Sequence, residues 1–256
     1  MIEPYLRGDY FALCAIDCAY WDFYARTQQR TMRSFWSKNT FETPLTNYTI
    51  GIDSIEQMTL KVRETSWPNY KIKLGTDCDL EIVSEIRRIS DSILRVDANC
   101  GWSLKEAIEN SEALKSLQVE FIEQPLPVAD VEDMKVLKEK SALPIIADES
   151  CKTIADVEVC AEQFHGINIK LMKCGGITPA LKMIEKGRKL GLQVMAGCMT
   201  ESSIGISNLV QLAPLLDAID ADGAMLLKND IASGVTFNDG IIQFSEKWGS
   251  GTILKC

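Results

Sequence analysis

Apolar and polar residues follow two patterns along this chain, and together they predict a repeating order of strand and helix. Short, nearly continuous apolar runs are typical of buried parallel strands, and longer stretches with apolar residues at helical spacing separate them. The predicted strands are residues 49–52, 70–74, 94–98, 119–123, 144–148, 166–171, 192–196 and 218–222. The clearest predicted helices are residues 81–93, 105–117, 130–140, 154–164, 178–190 and 203–213.

Eight buried strands joined by helices favour a closed barrel, with a doubly wound open sheet as the alternative. One such barrel needs ~250 residues, and the chain has 256. Before the first strand, the pattern predicts a helix at residues 10–26 and a loop at 33–45. The expected fold class is therefore α/β, a (β/α)₇β TIM-like barrel at residues 46–256 preceded by a linking helix and loop at residues 1–45.

The chain has a net charge of −9 and a pI of about 4.8, which argues against nucleic acid and anionic membranes as partners. No apolar run reaches the ~18 residues of a membrane span, and the charged N-terminus does not resemble a signal peptide. We therefore expect a cytoplasmic protein, and a homo-oligomer is compatible with the sequence. The nine cysteines contain no CxxC pair, which favours small buried side chains, and His165 is interpreted as a surface or loop residue.

Three successive predicted strands end in a carboxylate, at the edge of a barrel where active sites assemble. Asp97 lies in ValAspAlaAsn, Glu123 in IleGluGlnPro and Asp148 in AlaAspGluSer. Carboxylates that converge require a cation, and oxygen ligands suit Mg²⁺. The sequence therefore predicts a Mg²⁺ site, and the alternative is that each carboxylate caps its own turn.

Lysines are expected on both sides of this metal site. Lys71 and Lys73 alternate with apolar residues on the second strand, so both face the barrel interior. On the sixth strand Lys170 shares a face with Asn168. Strands two and six lie opposite each other in an eight-stranded barrel, which places one ammonium group on each side of a bound substrate. The alternative for Lys71 and Lys73 is a pair of solvated lysines at a sheet edge.

Together these motifs, with LysIleLys and with AsnIleLys before CysGlyGlyIle, resemble the enolase superfamily and its muconate-lactonizing-like subgroup. The resemblance implies Mg²⁺ on the three carboxylates and Lys73 and Lys170 as the acid/base pair. Mg²⁺ would stabilise the enediolate that forms when a proton leaves the carbon beside a carboxylate. Lys71 and the metal are expected to lower the pKa of Lys73. A lysine on each face would then invert that carbon, as in epimerisation or racemisation.

Strand eight reads AlaIleAspAlaAspGly, so Asp220 and Asp222 share a face and could bind a substrate ammonium. This pair, ThrIleGly at Thr49 and GlyCysMetThrGlu at Met199 resemble dipeptide epimerases. We therefore expect a dipeptide substrate, with L-Ala-D/L-Glu epimerase as the commonest assignment in this group, and Thr49, Lys71 and Met199 in the substrate pocket. The alternative is that Asp220 and Asp222 cap the final turn.

Two other functions stay open. The first is an N-acylamino acid racemase or an o-succinylbenzoate synthase, which needs no ammonium site but uses the same metal and lysines. The second is a catalytically silent barrel, because members of the family carry an N-terminal capping domain that this sequence is expected to lack in large part.

Overall fold

The computed structural model describes residue 6, residues 8–38 and residues 42–255. Its centre is one sheet of eight parallel strands that follow each other in chain order, as expected for a barrel. The strands are β1 Tyr48–Ile50, β2 Asn69–Lys73, β3 Ile93–Asp97, β4 Val119–Glu123, β5 Ile145–Ala147, β6 Gly166–Lys170, β7 Gln193–Gly197 and β8 Ala218–Asp220. The predicted α/β fold class is therefore confirmed.

Helices connect each strand to the next and place the carboxyl ends of all eight strands at the same edge of the barrel. An additional helix precedes the barrel, and two short strand pairs follow it. The helices are α1 Tyr10–Thr27, α2 Ile55–Thr65, α3 Asp79–Ile89, α4 Leu104–Ser116, α5 Val131–Lys140, α6 Val157–Gln163, α7 Leu171–Cys174, α8 Ile177–Lys189 and α9 Ser203–Leu209. The terminal strands are β9 Ala232–Ser233, β10 Thr236–Asn238, β11 Ile241–Gln243 and β12 Ile253–Leu254.

The barrel closes between β8 and the segment that leads into β1, through few backbone contacts. Thr46 forms an isolated parallel bridge with Ile219, and the Thr46 hydroxyl accepts a hydrogen bond from the Ala221 amide at 2.9 Å. A carboxylate completes the link, since Asp222 Oδ2 accepts from the Thr49 amide at 2.6 Å. We call residues 46–49 and 219–222 the closing seam, and polar side chains hold it together.

Helix α1 packs on the outside of the barrel against α7 and α8. Asp17 on α1 accepts a hydrogen bond from the Thr178 amide at 2.8 Å, which satisfies one free amide at the start of α8. Gly176 precedes that helix with φ of +113°, and a Cβ there would lie 2.6 Å from the Asp17 carboxylate. The CysGlyGlyIle motif thus allows α1 to approach the barrel just beyond β6.

The predicted elements are largely in place and differ mainly at their ends, as where α6 begins at Val157 rather than at residue 154. The predicted helix 81–93 is too long, because α3 ends at Ile89 and Ile93 already belongs to β3. The helix predicted at 203–213 becomes a 3₁₀ helix from Val210, and Pro214 inside it lacks the amide that an α-helix requires. A 3₁₀ helix at Met32–Phe35 occupies the start of the predicted 33–45 loop, of which residues 39–41 lie outside the described residues.

Of the eight cysteines among the described residues, five are buried, as predicted, whereas Cys78 is exposed and Cys100 and Cys198 are half-buried. His165 has a structural contact, since its Nδ1 accepts a hydrogen bond from the Ile145 amide at 3.1 Å. Burial lowers the pKa of His165, which favours this neutral acceptor. Among the described residues, no helix is both long and apolar enough to cross a membrane.

Candidate active site

The three predicted carboxylates converge at the carboxyl ends of neighbouring strands. Asp97 and Glu123 are the last residues of β3 and β4 and are paired in register, and Asp148 follows β5 directly. Each contributes an oxygen that lies within 4.8 Å of the other two. All three residues are 0% exposed. The parallel strands thus bring together three buried negative charges.

Lysines from opposite sides of the barrel contact this carboxylate triad, which we define as Asp97, Glu123 and Asp148. Lys73 at the end of β2 places Nζ 2.7 Å from Asp97 Oδ2. Lys170 at the end of β6 places Nζ 2.6 Å from Asp148 Oδ2. Since β2 and β6 lie four strands apart in a ring of eight, the two ammonium groups flank the triad.

Lys71 lies below Lys73 on β2 and is only 2% exposed. Its Nζ is 2.8 Å from Glu123 Oε2, 3.1 Å from Asp97 Oδ2 and 3.1 Å from Asp220 Oδ2. Burial disfavours its charge, but these three carboxylates raise the pKa of Lys71 well above its ordinary value. Lys71 therefore stays an ammonium ion, and its charge is shared between two sets of carboxylates.

The electrostatics of the triad indicate a binding site for a cation. Burial and the adjacent Asp97 raise the pKa of Glu123 to about 7. Burial also acts to raise the pKa of Asp148, but Lys170 and Lys173 outweigh burial and hold the pKa of Asp148 below its usual range. An oxygen-only donor set with this crowding of negative charge suits a hard divalent cation.

Neighbouring amides orient the carboxylates of the triad. Asn168 on β6 is fully buried and its Nδ2 donates to Glu123 Oε1 at 2.8 Å. Gln124 Oε1 accepts from the Asp148 amide at 3.0 Å, which fixes the chain after β5. Gly197 on β7 makes room for this arrangement, because a Cβ there would lie 2.7 Å from the Asn168 side-chain amide.

Two residues that the sequence analysis did not single out belong to this site. Lys173, one turn after Lys170, places Nζ 2.6 Å from the second oxygen of Asp148. Asn99 adopts φ of +46°, and its Oδ1 accepts from Lys73 Nζ at 3.2 Å. Asn99 ends the ValAspAlaAsn motif and Lys173 directly precedes CysGlyGlyIle, yet their spacing alone does not indicate which side chain points inward.

Asp220 and Asp222 form a second acidic pair beside the triad. Asn47 Nδ2 donates to Asp220 Oδ1 at 2.9 Å, and Asp222 accepts from the Thr49 amide rather than capping the following 3₁₀ turn. Burial and Asp220 raise the pKa of Asp222 to about 7, so this pair also favours a cation. The half-buried Met199 lies in the loop after β7.

Three buried carboxylates that could hold a cation, flanked by lysines from opposite strands, are the arrangement expected of a barrel enzyme that performs acid–base chemistry. The chain belongs to the family described as enolase C-terminal domain-like, which matches residues 53–255. The enolase-superfamily resemblance found in the motifs is therefore confirmed.

Three relatives show where the chain stands in this family. A protein from Flavobacterium johnsoniae named L-Ala-D/L-amino acid epimerase is 52% identical over 99% of this chain and 75% of its own length. The structure of a substrate-liganded L-Ala-D/L-Glu epimerase from Bacillus subtilis is 30% identical, with a TM-score of 0.92 over 98% of this chain and 74% of that one. The dipeptide epimerase from Enterococcus faecalis V583, solved with Mg and L-Leu-L-Tyr, is 31% identical, with a TM-score of 0.92 over 98% of this chain and 75% of that one.

Proposed function

We propose that this chain is a Mg²⁺-dependent dipeptide epimerase that inverts the α-carbon of the second residue of L-Ala dipeptides. The observation that carries the proposal is the placement of Lys73 and Lys170 on opposite sides of the triad, next to an acidic pair that suits an ammonium group. The 52% identical relative is named L-Ala-D/L-amino acid epimerase, a name that is not restricted to Glu. We therefore include L-Ala-Glu as one substrate among several.

The triad would hold Mg²⁺, which supplies positive charge next to the substrate carboxylate and stabilises the negative charge that develops when the α-proton leaves. One lysine, neutral at that moment, takes the α-proton on its Nζ from one face of the carbon. The other lysine, charged at that moment, donates a proton from its Nζ to the opposite face. The configuration is thus inverted. The lysine that was neutral ends charged, and the lysine that was charged ends neutral.

The acidic pair determines which end of the substrate lies away from the lysines. Asp220 and Asp222 would bind the α-ammonium of the N-terminal residue, which leaves the C-terminal residue and its carboxylate toward the triad. Thr49 holds Asp222 through its backbone amide, and Met199 in the loop after β7 would border the same space. A substrate without an ammonium group gains nothing from this pair.

The test is solvent deuterium incorporation into L-Ala-L-Glu, L-Ala-D-Glu and L-Ala-L-Leu in the presence of Mg²⁺, followed by NMR. The parent should exchange the α-proton of the C-terminal residue and interconvert the epimers. Lys73→Ala and Lys170→Ala should each abolish epimerisation, and each variant should still exchange the proton of only one epimer. Lys105→Ala is the matched control, because the Lys105 side chain is 85% exposed and its ion-pair partner is Glu109 on the same helix rather than a group of the site.

Three results would contradict the proposal in different ways. Exchange of N-acylamino acids without exchange of dipeptides would favour an N-acylamino acid racemase. Mg²⁺ binding without exchange of any substrate would favour a silent barrel. Epimerisation by Lys73→Ala at the parent rate would remove Lys73 from the mechanism.

A further inference from the structure

Lys71 joins the triad and the acidic pair, and among the residues that the structure describes it alone forms ion pairs with both. Its Nζ touches Glu123 and Asp97 of the triad and Asp220 of the acidic pair, all within 3.1 Å. The residue is 2% exposed, so water screens these contacts little. One buried ammonium group is thus shared between the site for a divalent cation and the site for a substrate ammonium.

A shared ammonium group implies competition. A divalent cation held by Asp97 and Glu123 competes with Lys71 for their negative charge, and Lys71 then depends more on Asp220. A substrate ammonium on Asp220 acts in the opposite sense, because it leaves Lys71 to the triad. A cation bound at either site therefore shifts the charge of Lys71 toward the other site, and the second cation binds there against a stronger repulsion.

We propose that Lys71 is a positioning residue that couples the two sites, so that charge at Asp220 sets the affinity of the triad for a divalent cation. The proposal rests on the metal site of the proposed function but adds a role that this function does not require. The coupling is antagonistic, and by linkage it acts equally in both directions. The carboxylate of a bound substrate attracts the metal ion, and the ammonium group of the same substrate weakens metal binding through Lys71, so the second effect offsets part of the first.

Asp222 provides a matched control for Asp220. The two carboxylates lie two residues apart, both are nearly buried, and each offers an oxygen to the same cluster. Asp220 contacts Lys71, whereas Asp222 Oδ2 accepts a hydrogen bond from the Thr49 amide. Well above pH 7, where both carboxylates are ionised, substitution by Asn removes one negative charge in either case. Only Asp220→Asn frees Lys71 to pair more strongly with the triad, so the titrations are carried out in that pH range.

The experiment is Mg²⁺ titration by calorimetry without substrate on the parent, Asp220→Asn and Asp222→Asn. Asp220→Asn should weaken Mg²⁺ binding roughly fivefold to tenfold more than Asp222→Asn does, a size typical of coupling between sites. This difference should disappear when both substitutions are repeated in a Lys71→Met background. L-Alaninamide, which has the ammonium but no carboxylate, should weaken Mg²⁺ binding more in the parent than in Lys71→Met.

Equal effects of Asp220→Asn and Asp222→Asn on Mg²⁺ affinity would overturn the proposal, and this comparison stands even if Lys71→Met does not fold. The proposal would also be overturned if the two variants still differed in Mg²⁺ affinity in the Lys71→Met background. The charge of Asp220 would then act on the metal ion directly and not through Lys71. A parent that binds Mg²⁺ but gives either result leaves the epimerase function intact. A parent that binds no Mg²⁺ would refute both the coupling and the proposed function.

Discussion

Replacement of Asp222 by Asn tests the ammonium site with little change in shape. The Thr49 amide donates to Asp222 Oδ2 at 2.6 Å, and an Asn oxygen at the same place can accept that hydrogen bond. The closing seam should therefore persist, and the variant should lose a negative charge rather than a structural contact. An effect on catalysis then reports on recognition of a cation.

The expected magnitude follows from the burial of Asp222, which is 2% exposed, so that solvent screens its charge little. A charged hydrogen bond contributes ~1.5–3 kcal/mol. Each 1.4 kcal/mol corresponds to roughly a factor of ten in binding. KM for L-Ala-Glu should therefore rise about tenfold to a hundredfold in Asp222→Asn, with a smaller change in kcat because the reacting carbon lies at the other end of the substrate.

The assay compares two enzymes with two substrates, L-Ala-Glu and N-acetyl-L-Ala-Glu. The acetylated dipeptide lacks the ammonium, so the parent should turn it over poorly. The acetyl penalty should shrink in Asp222→Asn, because both changes remove the same interaction. Equal turnover of free and acetylated dipeptide by the parent would refute the ammonium assignment and favour an N-acylamino acid racemase.

Three further predictions concern the metal site, the acidic pair and the scaffold. Asn168→Ala removes the hydrogen bond to Glu123 and should weaken Mg²⁺ binding about 10- to 100-fold by calorimetry, and unchanged affinity would contradict that supporting role. The pKa of Asp222 is about 7 and an ammonium favours its ionised form, so dipeptide binding should release close to one proton at pH 6 and fewer above pH 7. Calorimetry in buffers of different ionisation enthalpy measures that release, and a binding enthalpy independent of buffer at pH 6 would exclude it. Ser103→Ala breaks the capping box of α4 and should lower the free energy of unfolding by ~0.5–2 kcal/mol in urea with epimerisation unchanged.

The barrel and the centre of its site could be predicted because they follow from periodicity. Buried parallel strands are nearly all apolar, so a charged residue where such a run ends is conspicuous, as at Asp97, Glu123 and Asp148. Alternation on β2 likewise directs Lys71 and Lys73 inward. The strand order then requires that these groups meet, since parallel strands in sequence place their ends together.

Other features of the site and the fold could not be predicted, because the repeat of apolar residues along the sequence does not specify the directions of the side chains involved. Lys173 lies on the short helix α7 and reaches Asp148 only because the chain turns directly after β6. Asn99 holds Lys73 from a left-handed backbone conformation. The strands β9 to β12 have two or three residues each, too few for an alternating pattern to be distinguished from loop.

The closing seam gives this barrel a particular weakness. No strand ladder joins β8 to β1 among the described residues. The link consists of the Thr46–Ile219 bridge, the hydrogen bonds that the Thr46 hydroxyl and the Asp222 carboxylate accept from backbone amides, and the one that Asn47 donates to Asp220. Local opening is easiest where few backbone hydrogen bonds resist it. Heat should therefore disrupt the acidic pair before the helices melt, and loss of activity would precede loss of the circular dichroism signal. A ligand amine that neutralises this pair would remove the repulsion between its carboxylates and would thereby stabilise the closed form of the barrel.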